Sequence, residues 1–174
     1  MKFTSVFDNN TSENTYLVFD ENTGNGLIID PGCSMEKTEK MINENNVNVK
    51  YILLTHCHYD HISSLIPLKE KTGALIVTGD RGNVNIGNPS VNLSVYGLGY
   101  EINNIKSDKI LSDGEVMELD TVKMYIPASE LSMDVAVGKA VEFIKNNAEI
   151  TEEKVSARKK STTTKKASET KEEK

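Results

Sequence analysis

The sequence predicts an α/β fold on a partly parallel sheet, on three observations. Short apolar runs of strand length recur at residues 16–19, 26–29, 51–54 and 74–77. The last three are separated by stretches with helical apolar spacing, the crossover that parallel strands require. The first two are separated by Asn22-Thr23-Gly24-Asn25-Gly26, which is turn chemistry and predicts a hairpin.

Taken in order, residues 2–7 alternate apolar with polar and read as a strand. Tyr16-Leu17-Val18-Phe19 and Gly26-Leu27-Ile28-Ile29 read as buried strands, the second ended by Asp30-Pro31-Gly32. Ser34 is placed to N-cap a helix running to about Asn45, with Met35, Thr38, Met41 and Ile42 on one face. Tyr51-Ile52-Leu53-Leu54 is the next strand, followed by one amphipathic helix over residues 62–71 and the strand Ala74-Leu75-Ile76-Val77. Residues 81–109 are rich in Gly, Asn, Ser and Pro and predict a long connection with little regular structure. Residues 116–119 and 122–126 predict a second hairpin. Beyond Pro127 the spacing turns helical, with Leu131, Val135, Val141, Ile144 and Ala148 on one face.

Composition bounds the function. Twenty Lys and Arg against 26 Asp and Glu give a net charge of −6, which argues against nucleic acid as the main partner. Tryptophan is absent and mean hydropathy is −0.41, so the core is aliphatic. Two cysteines make no disulfide framework and suit a reducing cytosol. The N-terminal residues carry no apolar signal region, and no apolar run nears the roughly 20 residues that span a bilayer. A soluble cytoplasmic protein is expected. Residues 152–174 hold eight basic and five acidic side chains with Val155 the only large aliphatic, so they are expected to be a disordered tail. Such a tail confers solubility; the alternative is a weak electrostatic arm for a ribosome, RNA or acidic partner.

There are only three histidines, and all fall in Thr55-His56-Cys57-His58-Tyr59-Asp60-His61 at the end of a predicted strand. Three histidines placed at random would take this spacing roughly once in 5,000 trials, so the cluster is a site rather than an accident. Side chains alternate along a loop leaving a strand, so His56 and His58 can face one cation while Asp60 and His61 face a second beside it. Neutral imidazole with carboxylate suits a divalent metal, foremost Zn²⁺ and otherwise Fe²⁺ or Mn²⁺. The alternative is a polar loop whose histidines satisfy local hydrogen bonds. Asp30 before Pro-Gly reads, from its neighbours, as a turn-initiating Asp.

His56-Cys57-His58-Tyr59-Asp60-His61 resembles the HxHxDH signature of the metallo-β-lactamase superfamily, and the nearest branch is glyoxalase II-like (hydroxyacylglutathione hydrolase-like). Supporting context includes Asn14-Thr15-Tyr16-Leu17-Val18, Gly26-Leu27-Ile28-Ile29-Asp30-Pro31-Gly32 and Asp113-Gly114-Glu115-Val116, over about residues 1–126. The resemblance implies an αββα sandwich with a metal site at its strand ends. It implies hydrolysis of a small-molecule thioester or ester by metal-bound hydroxide. His56 and His58 would bind a first metal and Asp60 and His61 a second; Asp60 would also orient the metal-bound water, and Asp30 would support the loop.

The sequence departs from the family where further ligands are expected. Ser129 of Ile126-Pro127-Ala128-Ser129 stands where a histidine belongs, no histidine follows His61, and Asp134 is a carboxylate without the surrounding motif. Cys33 and Cys57 are conceivable thiolate substitutes, though for Cys57, between two of the candidate ligands, a small semi-buried thiol is the plainer reading. The domain organisation expected is therefore a truncated N-terminal half of the sandwich over 1–126, an amphipathic helix over 127–150 and a disordered tail over 151–174. One sheet face of such a half needs a cover, from the helix at 131–148, a second copy or a partner. Residues 133–148 with the Lys-rich tail are similar to the C-terminal end of bacterial trigger factor, a ribosome-associated chaperone. Two other functions thus stand beside the metallo-hydrolase: an inactive truncated or fused metal-binding remnant, and a chaperone- or ribosome-associated interaction protein.

Overall fold

Strands β1 (Lys2–Asp8), β2 (Glu13–Phe19) and β3 (Asn25–Ile29) form an antiparallel meander in which Leu17 pairs with Ile28 and Val18 with Leu27. The apolar runs of the sequence are its inner positions, as expected. The chain then crosses through α1 (Met35–Glu44) to β4 (Asn48–Leu53), through α2 (Tyr59–Ile62) and α3 (Leu65–Thr72) to β5 (Leu75–Gly79), and onward to β6 (Lys109–Leu111). These last three pairings, β3 with β4, β4 with β5 and β5 with β6, are parallel, so one six-stranded mixed sheet runs in chain order. A separate hairpin, β7 (Val116–Leu119) and β8 (Val122–Tyr125), forms the second sheet. This computed structural model describes residues 1–112, 115–119 and 122–125.

Both faces of the large sheet are apolar, which is why its runs are continuous rather than alternating. Leu17, Ile28, Ile52 and Ile76 face the helices and pack with Met41, Leu65, Leu68, Ile86 and Ile102. Val18, Leu27, Ile29, Val77 and Leu111 face the other way and meet Met117 and Leu119 of β7. Burying one such leucine or isoleucine contributes about 1.5–3 kcal/mol. Among the described residues the layer order is helix, sheet, sheet: β7 lays Met117 and Leu119 on the second face, whose cover was expected from the helix at 131–148, a second copy or a partner. The turn at 126–129, Asp134, the helix at 131–148 and the tail at 152–174 lie outside the described residues. No helix among the described residues is long and apolar enough to cross a membrane.

Four local expectations are corrected. The single helix over 62–71 is two, α2 and α3, interrupted at Ser63 and Ser64. Pro67 has no N–H for the Ser63 carbonyl, and both serines bind elsewhere: Ser63 Oγ donates to Gly32 O at 2.7 Å and Ser64 Oγ to Cys33 O at 2.6 Å. The connection over 81–109 contains three short helices, α4 (Asp80–Asn85), α5 (Pro89–Asn92) and α6 (Ser94–Leu98). Its end begins β6, which the sequence reading did not assign. Ser34 occupies the N-cap of α1, but its side chain caps nothing. Its N–H donates instead to Asp8 Oδ2 at 3.0 Å, so a carboxylate from β1 sits at that helix N-terminus.

Candidate metal centre

Because β3 and β4 are parallel neighbours with Ile29 paired to Leu53, the residues that follow each strand emerge side by side. β2 runs the other way, so its first residue, Glu13, starts at the same edge. Such an edge, beyond the carboxyl ends of parallel strands, is where α/β sheets gather side chains for ligands.

Asp30 follows β3 with a left-handed backbone, φ 48°, a conformation Asp tolerates better than most residues. Its carbonyl accepts from the Thr15 hydroxyl at 2.8 Å and from the Gly32 N–H at 2.7 Å, which holds the turn. Its carboxylate accepts the Thr55 N–H on Oδ1 at 2.8 Å and the Thr55 hydroxyl on Oδ2 at 2.5 Å. The side chain is therefore not merely initiating a turn: it fixes the start of the histidine loop.

That loop brings its three imidazoles together. The His56 ring stands edge-on to His58 at 4.9 Å between centroids and tilted to His61 at 3.8 Å. His58 is the N-cap residue of α2, and its carbonyl accepts the His61 N–H at 3.0 Å, so the helix turn carries His61 back over His56. Burial, then the neighbouring His61, pushes the His56 imidazole down to about 4, leaving it neutral at pH 7 with a lone pair to donate.

His61 is buried and faces carboxylates on both sides. Its Nδ1 lies 3.1 Å from Asp30 Oδ2, and its Nε2 lies 3.2 Å from Glu13 Oε2 and 3.8 Å from Asp60 Oδ2. Burial opposes its cationic form, but Asp30, then Glu13 and Asp60, outweigh that and raise its pKa. Despite the short approach to Asp30, Nδ1 is out of line for a hydrogen bond and is a buried polar atom without one. Burial likewise raises the Glu13 carboxyl.

Two groups of donors result. One ligand atom each from His56, Asp60 and His61 lies within 4.8 Å of the others, and so does one each from Glu13, Asp30 and His61. His58 stands beside the first group and belongs to neither. Glu13 was missed in the sequence. The signal for it was the period of two along β2: Thr15, Leu17 and Phe19 share its face, so Glu13 extends a buried row as a carboxylate.

The cysteines take other roles. Cys57 Sγ donates to Gly82 O at 3.4 Å, and burial pushes its thiol up to about 12. The single Cys33 S–H is shared between Val6 O at 3.2 Å and Glu13 O at 3.4 Å, bracing the start of β2. Above the loop, α6 lays its backbone on the Tyr59 ring: a Cβ on Gly97 would fall 2.2 Å from that ring.

Residues 9–132 match the sequence profile of the Metallo-beta-lactamase superfamily. The hydroxyacylglutathione hydrolase of Pelagibacter ubique is 36% identical over 72 residues, which are 40% of this chain and 30% of that protein. The hydroxyacylglutathione hydrolase of Klebsiella pneumoniae is 33% identical over 95 residues, 52% of this chain and 38% of that one. The chain spans about a third of the length of the curated relatives it matches. In structure it is similar to the BLEG-1 B3 metallo-beta-lactamase, with a TM-score of 0.63 at 20% identity, covering 71% of this chain and 59% of that one. The profile match, the helix–sheet–sheet layering and the histidine loop at the strand ends agree: the chain belongs to the metallo-beta-lactamase superfamily.

Proposed function

We propose that this protein is a metal-dependent hydrolase acting on small-molecule thioesters or esters, with His56, His58, Asp60 and His61 as metal ligands and Asp30 supporting them from behind. The observation that carries this reading is the donor group of His56, Asp60 and His61, within 4.8 Å of one another at the strand ends. Its chemistry fits a divalent cation: neutral imidazole and carboxylate suit Zn²⁺ first, and Fe²⁺ or Mn²⁺ also.

A bound divalent cation supplies Lewis-acid activation of a water and of the substrate carbonyl. The chain's own residues prepare the site. Asp30 fixes Thr55, and through it the direction in which His56 leaves β4. Asp60, whose side chain is 31% exposed, would orient the attacking water by accepting its hydrogen bond. Cys57, held protonated and turned to Gly82, takes no part.

The test is metal analysis of the full chain after gel filtration, with turnover of a glutathione thioester measured in parallel. Retained metal, and turnover lost in His58→Ala, supports the reading. Turnover unchanged by His58→Ala overturns it. A second reading rests on one observation: the sequence holds no histidine outside residues 56–61, so fewer imidazoles are available than the family's pattern uses. On that reading the chain binds metal without turning over, and the same pair of measurements separates the two.

A further inference from the structure

Three carboxylates converge on the one imidazole of His61: Asp30 at Nδ1, and Glu13 and Asp60 at Nε2. Their side chains are 2%, 18% and 31% exposed, and among the described residues none of the three is ion-paired to a lysine or arginine. One ligand atom each from Glu13, Asp30 and His61 lies within 4.8 Å of the others, a donor group beside that of the loop.

The three carboxylates are not equivalent. Asp60 belongs to the histidine loop, and Asp30 commits both oxygens to Thr55. Glu13 comes from another strand and turns Oε2 onto Nε2, the nitrogen Asp60 also faces. Its placement is built. The Cys33 thiol donates to its carbonyl, and Gly32 clears its path, since a Cβ there would lie 2.8 Å from Glu13 Cγ. That Cβ would also lie 1.9 Å from the Asp60 carbonyl oxygen, so Gly32 is the point at which β2, the turn after β3 and the histidine loop meet.

We propose that Glu13 is a cation ligand of this chain, the carboxylate that β2 adds to the donors of the histidine loop. The proposal rests on the metallo-hydrolase reading above and extends its ligand set beyond the four residues of the loop. Glu13 brings a hard oxygen donor from a second element, where a site made from one loop alone leaves coordination to water.

The experiment compares Zn²⁺ affinity, by competition with a chromophoric chelator, and the visible absorption of the Co²⁺ form. The full-length chain is measured beside Glu13→Gln, Glu13→Asp and His56→Ala. Glu13→Gln is expected to weaken Zn²⁺ binding about 10-fold or more and to alter the Co²⁺ bands, which a residue that merely packs would not do. Glu13→Asp, which keeps the charge but shortens the reach, is expected to alter the Co²⁺ bands too and stands in should Glu13→Gln fail to fold. If Glu13 variants match the unaltered chain in both readouts while His56→Ala has lost Zn²⁺, this proposal falls and the metallo-hydrolase reading stands. If the unaltered chain binds no Zn²⁺ or Co²⁺, both fall.

Discussion

Thr55 and Asp30 are locked together through two hydrogen bonds, hydroxyl to Oδ2 at 2.5 Å and N–H to Oδ1 at 2.8 Å, across the ends of neighbouring parallel strands. Bonds to a charged group are the stronger kind, worth about 1.5–3 kcal/mol each. Thr55→Val keeps the shape and removes one of them. It is expected to lower the unfolding free energy by about 2 kcal/mol, read as a lower urea midpoint at unchanged slope. A midpoint equal to that of the unaltered chain would show that the hydroxyl bond contributes nothing net.

Asp8 predicts an acid-dependent stability. Hydrogen bonds from the Asn10 and Ser34 N–H groups, with Lys37 beside them, hold its carboxyl below the ordinary carboxylate value. A group depressed in the folded state stabilises fully above its unfolded pKa, about 3.9, and loses that contribution as pH falls through the lower folded value. Asp8→Asn is therefore expected to be less stable at pH 7, by about 2 kcal/mol, and the difference to be smaller at pH 3, below the unfolded value. Urea midpoints at the two pH values check this; a constant difference would place the effect outside ionisation.

Gly97 and Tyr59 predict a coupled pair. A Cβ on Gly97 would meet three ring atoms of Tyr59 at 2.2–2.4 Å, so Gly97→Ala must displace the ring or α6. The expected cost is about 1–3 kcal/mol, the range for forcing extra volume into a packed contact. Tyr59→Ala removes the obstacle, and in that background Gly97→Ala should cost much less. A double-mutant cycle by thermal or urea unfolding measures the difference, and additive effects would refute the contact.

Metal linkage predicts a further shift. A ligand that binds only the folded chain at 100 times its Kd adds about 2.7 kcal/mol. Zn²⁺ is expected to raise the Tm of chelator-treated protein, and His56→Ala to abolish that rise. An equal rise in His56→Ala would locate the binding elsewhere.

The parts of the fold legible in sequence were those where one residue type repeats. β2, β3, β4 and β5 are apolar runs covered on both faces, and such runs announce themselves. α4, α5 and α6 were not legible, because each has four to six residues and the segment buries mainly Ile86, Asn92, Ser94 and Ile102, too sparse a set for any helical period. β6 is three residues long with Leu111 its one buried side chain. The clustering of the three histidines at a strand end was legible in their spacing, whereas position left Asp30 open between a turn-initiating residue and a carboxylate that reaches the loop at Thr55. Glu13 carried only the period of two it shares with Thr15, Leu17 and Phe19, and a lone carboxylate at the end of such a row reads as solvent-facing until the pairing of β2 with β3 brings it over the Asp30 turn. The break between α2 and α3 was encoded in Pro67, yet its meaning depends on where Ser63 and Ser64 find their partners.

The Asp30–Thr55 lock also bears on how the two strands find their alignment. Leu27-Ile28-Ile29 and Ile52-Leu53-Leu54 are apolar at every position, and both faces of the sheet are covered. Burial therefore discriminates poorly between the pairing of Ile29 with Leu53 and a pairing displaced by one residue. A slip of one would carry the Asp30 carboxylate off Thr55 and away from His61, stranding a buried charge at a cost of several kcal/mol. The polar cluster at the strand ends is thus a molecular vernier: it selects one alignment from a set that greasy contacts alone would leave nearly degenerate.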